Sequence, residues 1–162
     1  MLDYYGINLN LTPDLVDNFT NQGATNSKSS EETGLNIGIP ITYRAGDQPN
    51  NALALNVFDN GEVAASGGTS GVIYSITNDI NSKEPSRINH FAHVNYNDNN
   101  KSIGKLLCIN GAGIQYRWLR NHSVGKSYEK MNEAASSIPV GSEGISVIPF
   151  GNGAERMLNN KN

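Results

Sequence analysis

The sequence predicts a mixed α/β fold with a partly antiparallel sheet, and three observations carry that prediction. Two β-rich runs, residues 62–66 and 72–77, flank Gly67-Gly68-Thr69-Ser70-Gly71, a glycine-containing connection of hairpin type. The most apolar run, residues 105–110, passes through Gly111-Ala112-Gly113 into a segment with Ile114 and Trp118 four residues apart, the pattern of a strand entering a helix. A second helical stripe follows, with Tyr128, Met131, Ala135 and Ile138 on one face and Pro139 to stop it.

The other elements follow in chain order. Thr12-Pro13-Asp14-Leu15-Val16 predicts a short helix: a threonine cap, proline at the first helical position and an acid in the first turn. Residues 21–36 are polar and read as a surface loop or a short exposed helix. Pro40-Ile41-Thr42-Tyr43-Arg44 predicts a strand, Ala45-Gly46-Asp47 a turn, and residues 50–57 a helix. Residues 88–95 predict a further strand, so that the four β-rich runs between 62 and 110 form a meander. The run 105–110 is expected to be buried on both faces. Ile145-Ser146-Val147-Ile148 predicts a last strand.

Length and composition narrow the function classes. At 162 residues the chain is long enough to bury a core, as one domain or two small halves. Charged residues are only 17%, below the usual value of roughly 25%, and 24 asparagines fill the gap. The net charge of −3 gives no basic stripe for nucleic acid. No apolar run reaches the roughly 20 residues that span a bilayer, and the N-terminus lacks the basic and apolar regions of a leader. With a single cysteine, Cys108, inside Leu106-Leu107-Cys108-Ile109, the sequence predicts a small buried apolar side chain in a reducing, cytoplasmic setting. His90, His93 and His122 lack partners at metal spacing, so no metal site is predicted.

Several motifs fail on one residue. Gly125-Lys126-Ser127 ends like a P-loop, but Arg120 stands at the first glycine position. Gly111-Ala112-Gly113 opens like a dinucleotide fingerprint, but Tyr116 replaces the third glycine. Gly68-Thr69-Ser70-Gly71-Val72 is not a nucleophile elbow, because Val72 replaces its last glycine.

Three segments remain. In Ala45-Gly46-Asp47-Gln48, a carboxylate follows a strand through a small-residue turn, as cleft carboxylates do in α/β folds. Asp47 reads as a base for a substrate hydroxyl or as the cap of the following helix, two roles that are compatible; Gln48 is placed to bond neighbouring hydroxyls. In Gly67-Gly68-Thr69-Ser70-Gly71, a hairpin tip turns backbone N–H groups and two hydroxyls outward, which suits anionic oxygen or an ordinary turn. In Asn110-Gly111-Ala112-Gly113-Ile114-Gln115, a helix N-terminus offers N–H groups and partial positive charge to phosphate, or makes a tight strand-to-helix turn. A candidate base with two anion cradles is the equipment of phosphoryl transfer to a hydroxyl.

Taken in register with Ile148-Pro149-Phe150-Gly151-Asn152-Gly153-Ala154-Glu155-Arg156, these segments resemble the FGGY family of carbohydrate kinases, in a pattern most like its xylulokinase branch. The resemblance runs over essentially the whole chain. It implies part of a ribonuclease H-like, actin/hexokinase-type two-lobe ATPase fold. Residues 1–57 would form the end of the first, sugar-binding lobe and residues 58–162 the front of the second, nucleotide-binding lobe.

The resemblance also implies roles. Asp47 matches the catalytic base and, with Gln48, contacts the sugar. Gly68, Thr69 and Ser70 match the hairpin at the ATP phosphates; Gly111 and Gln115 match nucleotide-contacting positions. Glu155 and Arg156 match a segment belonging to lobe structure. The implied reaction is ATP-dependent phosphorylation of D-xylulose to xylulose 5-phosphate, with Mg2+ accompanying ATP and a homodimer as the full-length form. Glycerol, gluconate or ribulose kinases and a non-catalytic remnant are the alternatives. Family members are longer: their first phosphate hairpin and adenine pocket have no counterpart here, so the chain is expected to be an internal fragment, inactive alone. An actin-like assembly ATPase shares the fold, but has no use for a base in Gly46-Asp47-Gln48.

Overall fold

A computed structural model describes residues 1–123, 127–148, 150 and 158. Its centre is a four-stranded sheet of β1 (Val63–Gly67), β2 (Gly71–Thr77), β3 (Asn89–Ala92) and β4 (Ile103–Ile109). The helices are α1 (Ser27–Thr33), α2 (Asp47–Ala54), α3 (Ala112–His122) and α4 (Tyr128–Ser136).

The strand order is β1-β2-β4-β3, with every neighbouring pair antiparallel. The predicted meander is therefore corrected. β4 takes the place beside β2 through seven residue pairs, and β3 is displaced to the edge. The apolar content of β4 explains this, since the most hydrophobic strand gains most from a central position. Nor is β4 buried on both faces: Gly104 and Leu106 are buried, while Ile103, Lys105 and Leu107 are half-buried.

One face of the sheet holds the core. Ala64 of β1, Val72, Tyr74 and Ile76 of β2 and Leu106 of β4 pack together, with Ala52 of α2 fully buried against them. Cys108, half-buried, packs at the edge of this cluster, and its thiol donates to Asn110 Oδ1. Tyr74 lies across Gly104, where an added Cβ would meet the phenol oxygen at 1.8 Å, so only glycine leaves room for the ring. The Tyr74 hydroxyl reaches His93 Nδ1 at 3.1 Å, and His93 Nε2 reaches the Val57 carbonyl at 3.1 Å. A carbonyl only accepts, so Nε2 carries the proton and Nδ1 accepts from Tyr74. Burial pushes the Tyr74 phenol up to about 12 and holds His93 below its ordinary value.

Three further expectations are corrected. Thr12 closes a 3-10 turn over Leu9–Leu11 and no helix follows; its φ of −94° and ψ of 141° are the extended conformation that Pro13 imposes on the preceding residue. Residues 40–44 form no strand of the sheet: Pro40 makes an isolated bridge to Ala24, and Ile41 exchanges backbone bonds with Gln22 and Gly23. Residues 145–148 form no strand, and Ile145, Val147 and Ile148 stand mostly exposed, paired with no strand among the described residues. The polar stretch 21–36 does hold a short helix, α1, opened by a capping box between Asn26 and Ser29. Of the segment 148–156, only Ile148 and Phe150 lie within the described residues; Glu155 and Arg156 lie outside them, as do Gly125 and Lys126.

The His93 bonds require a neutral imidazole, and this gives a pH dependence. The unfolded chain takes up the proton near 6.5, the folded chain only at lower pH. The stability contributed by neutral His93 is thus complete above about pH 6.5 and falls as the pH drops below it, by at most ~1.4 kcal/mol per pH unit for one proton. Denaturant midpoints measured from pH 7.5 down to 5 check this: the unsubstituted chain should lose stability over that window, and His93→Gln should show a flatter profile.

Candidate functional site

The site is built where the β1–β2 hairpin meets the start of α3. Gly67 pairs with Gly71, and Gly68 N–H donates to the Ser70 carbonyl at 3.0 Å, closing a tight tip. The carbonyl of Thr69 then accepts from Gly113 N–H at 3.0 Å and from Ile114 N–H at 3.3 Å. These are orphan donors of the first helical turn, and here the hairpin itself satisfies them. The approach is close: a Cβ at Gly113 would lie 2.0 Å from the Gly68 carbonyl oxygen, and one at Gly71 would lie 3.2 Å from Ala112 Cβ.

This corrects the expectation of two independent anion cradles. The glycine at 113 makes room for the hairpin backbone, and the N–H groups of Gly113 and Ile114 point at Thr69 rather than outward. The hairpin and the helix start form one unit. What the unit leaves open is the outer side of the tip: Gly68 and Thr69 are exposed and Ser70 is half-buried. Among the described residues the hydroxyls of Thr69 and Ser70 take no partner, and they remain available as donors.

Beside the tip lies a hollow of about 300 Å³. Gly67, Gly68 and Thr69 line one side, Gly113, Ile114, Tyr116 and Arg117 of α3 the other, and Tyr128 of α4 closes it. Arg117 follows Gly113 by four residues, one turn along the same helix face. α4 is pinned to α3 by rings and a cation: Tyr116 and Tyr128 stack with centroids 4.9 Å apart, the Arg120 guanidinium lies 4.6 Å from the Tyr128 ring centre, and Tyr116 O–H donates to Asn132 Oδ1.

The structure separates the sequence-predicted residues. Gly68 and Thr69 border the hollow, and Ser70 completes the tip beside them. Gly111 is the buried N-cap of α3, and the Gln115 side chain turns to the Ile148 carbonyl at 3.5 Å; neither lines the hollow. Gly113, part of the predicted strand-to-helix segment, does line it; so do Arg117 and Tyr128, which sequence reasoning missed as site residues. The available signal was the one-turn spacing from Gly113 to Arg117, behind a glycine-rich hairpin.

Asp47 and Gln48 open α2. Gly46 is the N-cap and Asp47 the first helical residue, so the predicted cap role shifts by one position. Asp47 Oδ1 accepts from Gln48 N–H at 2.8 Å; Asp47 is exposed and Gln48 half-buried. α2 packs Ala52 into the core cluster of the sheet and lies close to β1, the strand that leads to the hairpin. Among the described residues no bond joins Asp47 or Gln48 to the hollow. No group of three metal-ligating side chains stands together among those residues.

No family model matches the chain. Similarity to characterised proteins is nonetheless consistent in kind. The chain is 25% identical over 146 residues to the xylulose kinase of Bacillus subtilis, across 90% of this chain and 28% of that protein. It is 26% identical over 155 residues to the gluconokinase of the same organism, across 86% of this chain and 29% of the relative. The ligand-bound xylulose kinase of Lactobacillus acidophilus superposes with a TM-score of 0.78 at 20% identity, over 92% of this chain and 30% of that one. The glycerol kinase of Plasmodium falciparum, solved with ADP, superposes with a TM-score of 0.71 at 21% identity, over 83% and 26%. The fold is thus that of a part of the ribonuclease H-like, actin/hexokinase-type kinases. In sequence and in fold the chain is similar to the FGGY carbohydrate kinases, over a segment less than a third as long as those relatives.

Proposed function

We propose that this segment supplies the sugar base and one wall of the phosphate site of an ATP-dependent carbohydrate kinase, with D-xylulose as the acceptor. The observation that carries the reading is the docking of the Gly67–Gly71 hairpin onto α3 at Thr69, beside a hollow whose cation is Arg117. Residues 1–57 act as the end of the sugar lobe and residues 58–162 as the front of the nucleotide lobe. The protein works in the cytoplasm, as a homodimer in its full-length form. The similarity to a gluconokinase and a glycerol kinase favours a second reading, another sugar or polyol acceptor on the same phosphate chemistry.

The residues suit a triphosphate. Glycines at the tip let phosphate oxygens approach the backbone, and the hydroxyls of Thr69 and Ser70 add donors. Arg117 offers the planar fork that binds phosphate through two bonds. The Mg2+ that accompanies ATP is held chiefly by phosphate oxygens and water, so it needs no dedicated cage of side chains. Asp47 takes the proton of the sugar hydroxyl as that oxygen attacks the γ-phosphorus, the bond from that phosphorus to the β,γ-bridging oxygen breaks, and ADP leaves with the bridging oxygen. Most of the catalysis is positioning and neutralisation of charge.

Nucleotide binding tests the phosphate wall directly. Titration of Mg·ATP into the chain, followed by calorimetry, should show binding that Thr69→Ala weakens severalfold and Arg117→Ala weakens by about tenfold or more, the loss of a charge-assisted bond worth about 1.5–3 kcal/mol. Unchanged affinity in both variants refutes the wall. Gly113→Ala should destabilise the chain by about 1–3 kcal/mol through its clash with the hairpin backbone, and should weaken ATP binding with it. Thermal melts with and without nucleotide read both effects. In a full-length xylulose kinase, alanine at the aspartate matching Asp47 should lower kcat by about 10²–10⁴-fold and leave the ATP KM nearly unchanged. Near-normal kcat removes Asp47 as the base, and a preference for gluconate or glycerol over xylulose selects the second reading.

A further inference from the structure

Away from the hollow, the buried His93 and the half-buried Asn95 lie under the passage from α2 to β1. Connecting segments usually carry a protein's motion, yet this one is tied at nearly every polar atom. The Val57 carbonyl accepts from His93 Nε2 at 3.1 Å, and the Phe58 carbonyl accepts from Asn95 Nδ2 at 3.3 Å. Val57 N–H donates to Ala52 at 2.9 Å. Phe58 and Asp59 N–H both donate to Glu62 Oε2, at 2.7 and 2.9 Å. Gly61 N–H and the Glu62 carbonyl close onto the backbone of Ile76. His93 is 2% exposed, and Asn95 keeps its Oδ1 buried without a partner among the described residues. An orphaned buried oxygen costs about 1–3 kcal/mol, so the grip on Phe58 is held against a penalty.

We propose that His93 and Asn95 are positioning residues: they lock this crossing as a rigid elbow that sets the angle of α2 to the sheet. The inference rests on the proposed kinase reading for its consequence, since the elbow then fixes where Asp47 stands relative to the phosphate hairpin. The leverage is geometric. Asp47 opens an eight-residue helix whose other end enters the elbow, a length of about 12 Å. A rotation of about 5° at the elbow moves the far end by about 1 Å, and misplacement of that size can cost ~100-fold in rate. α2 enters the core cluster of the sheet through the methyl group of Ala52, a small contact that a helix can keep over a range of crossing angles. The elbow sits at residues 57 and 58, where the two predicted lobes join, and its gripping side chains lie 36 and 37 residues further along the chain.

The test measures the angle rather than stability. Paramagnetic labels at Asn51→Cys on α2 and Ile73→Cys on β2, both exposed, are placed in a Cys108→Ser chain and their separation is read by pulsed electron resonance. The unsubstituted elbow should give one narrow distribution. His93→Phe and Asn95→Leu should each broaden or shift it while ATP affinity stays within about twofold, because the hollow is not touched. His93→Gln, which keeps a donor for Val57, should restore the narrow distribution; a purely space-filling role predicts rescue by phenylalanine instead. Narrow, unshifted distributions in His93→Phe and Asn95→Leu overturn the proposal. Should those variants not fold, the side-chain protons of the unsubstituted chain decide: the His93 Nε2 proton, bonded to the Val57 carbonyl and buried, should exchange slowly by nuclear magnetic resonance, and rapid exchange there overturns the elbow. Failure of ATP to bind the unsubstituted chain would count against the proposed phosphate wall and leave the angular result standing.

Discussion

The carbonyl oxygen of Thr69 is the point on which the candidate site depends. It accepts two N–H groups from the first turn of α3, and this ties the hairpin tip to the helix at a separation that only glycine at 113 permits. The bond does two things. It satisfies helix donors that would otherwise need solvent or a ligand. It also turns the residues around that carbonyl, Gly68 and the Thr69 side chain, toward the hollow. Because the strands behind the tip belong to the central sheet and the helix continues directly from β4, both walls of the hollow are anchored to the same core.

The core in turn is organised around a polar pair. Tyr74 needs the bare backbone of Gly104 to lie flat on β4, and its hydroxyl needs His93 as acceptor once water is excluded. His93 then spends its remaining proton on the Val57 carbonyl, outside the sheet. A chain of two hydrogen bonds thus runs from the middle of β2 to the end of α2. Aliphatic residues alone would fill that volume with no preferred direction; the polar pair specifies how α2 leaves the sheet.

What the sequence made legible was local. The hairpin at 67–71, the strand entering α3, and α2 and α4 all follow from patterns of period 2 or 3.6 read within about a dozen residues. What it hid was non-local. No alternation in residues 105–110 says that β4 inserts between β2 and β3, pairing with both. Residues 40–44 and 145–148 have strand composition, yet among the described residues neither joins the central sheet; 40–41 pair only locally with 22–24, and propensity yields to tertiary context. The site shows the same division. Gly68, Thr69 and Ser70 were visible as a motif, whereas Arg117 becomes a site residue only when α3 is laid against the tip. Gln115, one turn from the buried N-cap Gly111, bonds the Ile148 carbonyl instead of the hollow.

Charge placement explains why the two halves of the proposed site stand apart in the chain. A base must remain an available carboxylate, and a phosphate-binding arginine must remain an available cation; placed in contact they would neutralise each other and compete with substrate. The ion pairs among the described residues join Lys28 to Glu32, Arg87 to Glu84 and Lys101 to Asp98, each within one helical turn or loop, and none takes Asp47 or Arg117. Asp47 spends one oxygen on the N–H of its own neighbour and keeps the rest of its carboxylate open. Arg117 rises from a helix whose second arginine, Arg120, is already engaged over Tyr128, so the ring-bound cation holds the wall in place and the other faces the hollow. Acid and cation can act on one phosphoryl transfer only if something outside both of them fixes their relative position, and in this chain that task falls to the packed connection between α2 and the sheet.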